Sequence, residues 1–307
     1  NVFAGEVGRL PGAIGKKQKT AGELGLTANM FDVKHADIRE AVERALAEDI
    51  GSGDITSQLT VPHDSTARGS FLAKQELVLA GVELLPLIYG ARGGATVSIR
   101  HASGTKMEKG ALIATAEGRA RTLLECERVA LNFMQRLSGV ATLGRQHVDE
   151  VAGTKVKVLD TRKTTPGLRR LEKMAAAAGG VANHRFGLFD AVLIKNNHIT
   201  AAGGVRQALE KAQLFDGPVE IEVRTRAELD EALACGAQRL LLDNLTPAQA
   251  VEWVRYIAGR ASSELSGNIN LANIREYAQA GADFISCGAI THSAAAVDIS
   301  FRLELTQ

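Results

Sequence analysis

Two adjacent cations follow an apolar run in "VKVLDTRKTTPG", where Arg162 and Lys163 stand just beyond Leu159. A connection that only had to turn would favour Gly, Asn or Asp at that place. A planar guanidinium beside a mobile ammonium suits a carboxylate or a phosphate instead. Other apolar runs end in the same way: Lys195 closes "AVLIK", Glu222 lies in "VEIEV" and Asp243 follows "RLLL". Ser266, Gly267 and Asn268 follow "SSEL", and Gly288 and Ala289 follow "DFISC". His184 and Arg185 in "NHRFG" add a second basic pair, while Asn197 and His198 read as turn formers. Glu222 and Asp243 have two readings, salt bridges to the cations or a Mg²⁺ site completed by water and substrate phosphates. Glu220 is expected to face away from Glu222. No His-rich set supports zinc. The small glycine-bearing loops suit backbone N–H groups that cradle a phosphate. Lys195 at a strand end could also act as a Schiff-base nucleophile.

The elements that must hold these groups alternate. "VKVL", "AVLI", "VEIEV", "RLLL", "SSEL" and "DFIS" read as short buried strands. Helical stretches such as "TRAELDEALACG" and "NLANIREYAQAG" lie between them and close on glycine caps. Such repeats predict a parallel α/β architecture, open or closed. Polar residues at successive strand ends form the kind of rim on which barrel enzymes place their chemistry. Upstream, "DIREAVERALAEDIG" carries a helical apolar stripe, and glycine-punctuated strands run from about Gly69 to Gly118. A long helix follows, with Leu123, Cys126, Ala130, Phe133 and Leu137 on one face. This first part predicts an α+β domain with a largely antiparallel sheet.

Composition narrows the classes of function. The 307 residues are 45% hydrophobic with a formal charge of +1, enough for a large core and no global case for nucleic acid or membrane. Between Asp160 and His198, seven Lys/Arg face three Asp/Glu, a local net of +4. Cys126, Cys235 and Cys287 fit no paired metal pattern and predict a reducing, cytoplasmic setting. No apolar run is long enough to span a membrane. Residues 1–30, with six glycines, read as a flexible tail. There is neither a Walker phosphate loop nor a G-x-G-x-x-G fingerprint.

"DTRKTTPGLR", "NHRFGLFDAVLIKNNHI", "EIEV", "LLLDN", "SGNI" and "ISCGAITHS…VDIS" closely resemble the quinolinate phosphoribosyltransferases, the carboxylating nicotinate-nucleotide pyrophosphorylases. "ALAEDIGSGDIT" and "ERVALNFMQRLSGVAT" extend the resemblance to residues 36 through 301. It implies Mg²⁺-dependent transfer of a phosphoribosyl group from phosphoribosyl pyrophosphate to quinolinate. The products would be nicotinate mononucleotide, pyrophosphate and CO₂, in de novo NAD synthesis. The implied fold is an N-terminal open α/β sandwich (31–150) joined to an incomplete parallel α/β barrel (151–295), with residues 296–307 returning to the first domain. By resemblance, Thr161, Arg162, Lys163, His184 and Arg185 bind quinolinate, together with Arg128 from the partner subunit of a homodimer. Lys195, Glu222 and Asp243 face phosphoribosyl pyrophosphate, the two carboxylates serving its metal. Ser266, Gly267, Asn268, Gly288 and Ala289 hold the 5′-phosphate. The chain departs from the common family pattern at Asn196 (usually Asp), Val181 (frequently Gly) and Asn268 (often Gly).

The competing readings are a sister phosphoribosyltransferase acting on nicotinate or serving molybdenum uptake, a Schiff-base barrel enzyme using Lys195, and a non-catalytic phosphate-binding module.

Overall fold

The computed structural model describes residues 32–306, so the tail expected over residues 1–30 lies outside them. The first helix, Ala36–Ile50, buries Ile38, Ala41, Val42, Leu46 and Ile50 along one helical stripe. Its successor, Ile55–Thr60, starts where the Asp54 carboxylate accepts the Ser57 amide at 3.0 Å. Strands β1 (Thr66–Ala73), β2 (Leu77–Val78), β3 (Thr96–Ile99), β4 (Lys106–Met107) and β5 (Leu112–Arg119) follow. The second half holds β6 (Lys157–Leu159), β7 (Val192–Ile194), β8 (Val219–Val223), β9 (Arg239–Asp243), β10 (Ser262–Ser266) and β11 (Phe284–Ser286), and β12 (Ile299–Thr306) ends it.

The first sheet is antiparallel, in the order β12-β1-β5-β3. Its outer strand therefore comes from the far end of the chain, with Phe71 and Phe301 in contact at 4.9 Å between ring centroids. The second sheet is wholly parallel, in the order β6-β11-β10-β9-β8-β7. From β7 to β11 spatial order follows chain order, and β6, the first strand, joins the last. A doubly wound sheet would reverse its order in the middle; joining first to last is what a barrel does. Between β6 and β7 there is no full ladder. Only Ala182 bridges to β6, donating to the Val158 carbonyl at 2.9 Å and accepting from the Asp160 amide at 3.1 Å. The barrel is open on that side.

The helix Ala120–Glu150, 31 residues long, is shared by both halves and spans about 46 Å. Leu123, Cys126, Ala130, Phe133 and Leu137 are buried as the spacing predicts. Gly139 is the point of closest approach. A Cβ there would lie 2.0 Å from the Ala295 carbonyl oxygen, so any side chain would push away the segment leading to β12. Gln135 secures that segment by donating to the Ile299 carbonyl at 2.8 Å.

Two expectations are corrected. On β8, Ile221 and Val223 are fully buried and alternate with Glu220 and Glu222. Residues two apart on a strand return to the same face, so Glu220 points the same way as Glu222, not away from it. A parallel strand covered by apolar groups on both sides would read as a continuous apolar run. Charges at every second residue of a buried strand mark a polar barrel interior. The second correction concerns "NLANIREYAQAG", which is helical only over Ile274–Ala278. Asn273 accepts the Asn270 amide at 2.8 Å and Asn270 accepts that of Ala272 at 2.9 Å, so side chains hold this stretch as a turn first.

Candidate active site

The loop after β6 is held from behind by buried charges. Asp160 is fully buried, pairs with the Lys173 ammonium, and accepts the Asn183 amide at 2.6 Å and the backbone N–H of His184 at 2.8 Å. Lys173 also donates to the His184 carbonyl at 2.9 Å. These bonds tie the end of β6 to the segment carrying His184 and Arg185. Further on, the buried Glu172 carboxylate accepts the Thr165 amide at 3.0 Å and its hydroxyl at 2.7 Å, and pairs with Arg136 of the long helix. Thr161 Oγ1 accepts the Lys163 amide at 3.1 Å inside the loop. Asp160, Glu172 and Lys173 escaped the sequence reading, although the charges among the alanines of "RRLEKMAAAA" were a signal.

Arg162 and Arg185 differ from these paired groups. The Nε atoms of both are buried without a hydrogen-bond partner, and Arg185 spends one terminal nitrogen on the Ala191 carbonyl at 3.1 Å. Burial and then the Arg162 charge push the Arg185 pKa down. Lys163 is exposed and lies against the loop after β11: a Cβ on Gly288 would meet Lys163 Cδ at 2.9 Å. Thr291 Oγ1 donates to the Lys163 carbonyl at 2.8 Å and joins the two loops.

Across the rim, Lys195 Nζ is 3.8 Å from Glu222 Oε2, and Arg224 Nε is 4.0 Å from Glu222 Oε1. Asp243 accepts from the Asn244 side-chain amide at 2.7 Å and is the register partner of Ser266. Gly267 has φ 99°, and a Cβ there would strike Asn244 Oδ1 at 2.2 Å. Glycine is therefore required there, both by the positive φ and by Asn244 packed against it. Asn268 holds φ 53°, a left-handed conformation that Asn tolerates better than most residues. Gly288 and Ala289 begin the short helix Ala289–His292. Arg128 stands at an exposed position of the long helix. His198 accepts the Lys195 amide at 2.9 Å and starts the next helix, in keeping with a local structural role.

As a metal site, Glu222 and Asp243 offer two carboxylates from neighbouring strands. This donor set fits an oxygen-preferring ion that brings water and phosphate with it. The described group of three close potential ligands is a different one, His184, Glu220 and Glu264, deeper in the barrel. There His184 Nε2 lies 3.3 Å from Glu220 Oε2 and 3.6 Å from Glu264 Oε2. Arg239 lies 3.8 Å from Glu220 and 3.6 Å from Glu264. Burial, reinforced by the Glu220 charge, pushes Glu264 up to about 8. Burial would also raise Glu220, but His184 and Arg239 outweigh it and the net direction is down. Sequence reading missed Arg239 and Glu264 altogether; a lone acid inside "SSELS" was the available signal.

Residues 54–138 match the model of the quinolinate phosphoribosyl transferase N-terminal domain, and residues 140–302 match that of its C-terminal domain. The chain belongs to the quinolinate phosphoribosyltransferase family. It is 38% identical over 278 residues to the probable nicotinate-nucleotide pyrophosphorylase [carboxylating] of Bacillus subtilis, covering 89% of this chain and 96% of that protein. It is 40% identical over 293 residues to the quinolinate phosphoribosyltransferase [decarboxylating] 1b of Nicotiana tabacum, covering 87% and 83%. The solved nicotinate-nucleotide pyrophosphorylase of Francisella tularensis superposes with a TM-score of 0.82 at 37% identity, covering 87% of this chain and 96% of that one. The sandwich-plus-open-barrel fold is thus that of the quinolinate phosphoribosyltransferases. Among the described residues, no helix is long and apolar enough to cross a membrane.

Proposed function

We propose that this enzyme transfers the phosphoribosyl group of phosphoribosyl pyrophosphate to the nitrogen of quinolinate with loss of CO₂, yielding nicotinate mononucleotide and pyrophosphate for NAD synthesis. The observation that carries the reading is the pair of guanidiniums at the barrel mouth, Arg162 and Arg185, which have no ion-pair partner and whose buried Nε groups have no hydrogen-bond partner among the described residues. A buried donor left unpaired is costly, and two mutually repelling cations more so, unless an anion completes them. Quinolinate brings two adjacent carboxylates to meet them, with Lys163 beside them and Thr161 and His184 on the same segments. The glycine-bearing loops at Ser266–Asn268 and Gly288–Ala289, at the ends of β10 and β11, suit the 5′-phosphate. Lys195, just after β7, and its partner Glu222 on β8 lie at the other end of the sheet from β6.

Cleavage of the ribose–pyrophosphate bond builds positive charge on the sugar, as in glycoside hydrolysis. Glu222 and Asp243 would stabilise that charge electrostatically. The same two carboxylates would hold Mg²⁺, which when bound supplies charge neutralisation to the departing pyrophosphate. Once ribosylated, the ring nitrogen is cationic and accepts the electron pair left as CO₂ departs from the adjacent carbon. No covalent protein–sugar adduct is part of this scheme. The exposed Arg128 would complete the acceptor site of a second copy in a homodimer. Three free cysteines accord with a reducing cytoplasmic compartment.

The deciding assay offers quinolinate and nicotinate in parallel with phosphoribosyl pyrophosphate and Mg²⁺, following pyrophosphate and CO₂ together. Equal release of both with quinolinate alone is expected. Turnover of nicotinate alone, or pyrophosphate without CO₂, would overturn the acceptor assignment. Mixing Arg128→Ala and Lys163→Ala proteins should restore part of the activity; no recovery after verified subunit exchange would count against shared sites.

A further inference from the structure

Below the mouth, four ionisable side chains from four segments meet in the barrel interior: His184, Glu220 of β8, Arg239 of β9 and Glu264 of β10. Ser286 of β11 is a further polar neighbour, and burial pushes the Cys287 thiol beyond it up to about 12. Three of the cluster members could in principle ligate a metal. Arg239 argues against that, because its guanidinium already faces both carboxylates and would repel a second cation.

The ring of His184 decides how the charges are arranged. Its Nδ1 accepts the backbone N–H of Arg185 at 2.7 Å, so that nitrogen holds a lone pair. The ring proton then sits on Nε2, which faces Glu220 at 3.3 Å. Burial works to lower the His184 pKa and the two carboxylates outweigh it, so the net direction is up; what opposes a second proton is the Nδ1 contact with the Arg185 amide. A second proton could be taken only at Nδ1, setting two N–H donors face to face. With the ring neutral, Arg239 balances one carboxylate, and the other must be protonated. Glu264 is that one: it is 1% exposed, and burial pushes it up to about 8.

We infer that Glu220 and Glu264 are positioning residues for the acceptor pocket: they hold the His184 proton on Nε2, which leaves Nδ1 to fix the peptide from which the Arg185 guanidinium projects. The chain of contacts runs from the barrel floor through the ring and the Arg185 amide to one of the two unpartnered cations at the mouth. This assignment rests on the functional reading only in calling the pocket an acceptor site; the tautomer can be measured without substrate.

The test is ¹⁵N NMR of the full, ligand-free chain with labelled histidine, the His184 signals being assigned by their loss in His184→Gln. A protonated Nε2 with a free Nδ1 near neutral pH is expected, retained in Glu264→Gln, whose amide can still donate to Glu220. A ring protonated at Nδ1, alone or together with Nε2, would overturn the inference. Kinetically, Glu220→Leu should raise KM for quinolinate by about tenfold or more while KM for phosphoribosyl pyrophosphate stays within about twofold. Equal rises in both, or no change, would reduce the cluster to a structural role. If Glu220→Leu fails to fold, the wild-type spectrum still decides. If the wild type ignores quinolinate, the functional reading fails while the tautomer result stands.

Discussion

The mouth and the floor of the barrel use the same kinds of residue to opposite ends. At the floor, Arg239 stands between two carboxylates and the cluster closes on itself. At the mouth, Arg162 and Arg185 have no ion-pair partner among the described residues, and like Arg239 they keep a buried Nε without a hydrogen bond. A cation balanced by its own protein holds structure; one left unbalanced in a cleft is held in readiness for a ligand. The cost of the second arrangement is met from behind, where Asp160, Lys173 and Glu172 lock the backbone of the mouth.

The contrast breaks most sharply at Arg239. Arg239→Met leaves two buried carboxylates facing each other, and removing one partner of a buried charge set costs about 3–5 kcal/mol. Urea unfolding should show that loss; a stability unchanged from wild type would mean that the floor is not closed by charge balance. The matching change at the mouth, Arg162→Met, should lower kcat/KM for quinolinate by about 10²–10³-fold, since charge-assisted hydrogen bonds to ions are worth about 1.5–3 kcal/mol each. Its melting temperature should stay level or rise, because a half-buried cation with no ion-pair partner among the described residues is removed. A fall in stability equal to that of Arg239→Met would erase the distinction between the two layers.

The smallest effect, taken per pH unit, is a slope in stability of at most about 1.4 kcal/mol. Glu264 is pushed up from 4.5 to about 8 in the folded protein. Between those values the folded state keeps a proton that the unfolded state has lost, so stability contributed by the neutral acid declines as pH rises and levels off above about 8. Glu264→Gln removes this dependence. Wild-type stability relative to that variant should therefore fall as pH is raised through that window; a constant difference would mean that Glu264 is ionised throughout.

The two layers were unequally legible in the sequence. The mouth could be read because its signal is local: Arg162, Lys163, Lys195 and Asp243 each stand where an apolar run ends. The floor could not, because its meaning lies in which faces converge. Glu264 and Arg239 passed without notice, and Glu220 was assigned to the wrong side even though its spacing from Glu222 places both on one face. Ala182, too far from β7 to read as a strand, supplies the one bridge beyond β6.

By itself the sequence determined the alternating elements, the antiparallel first domain, the long helix and the cationic rim, because strand and helix periodicity and chain-adjacent charges are short-range properties. Only the tertiary structure decided that β6 joins β11, that β12 pairs with β1, and that His184, Glu220, Arg239 and Glu264 share one proton-bearing cluster. Those outcomes depend on contacts between residues far apart in the chain, where burial removes the solvent that would otherwise screen each charge from the next.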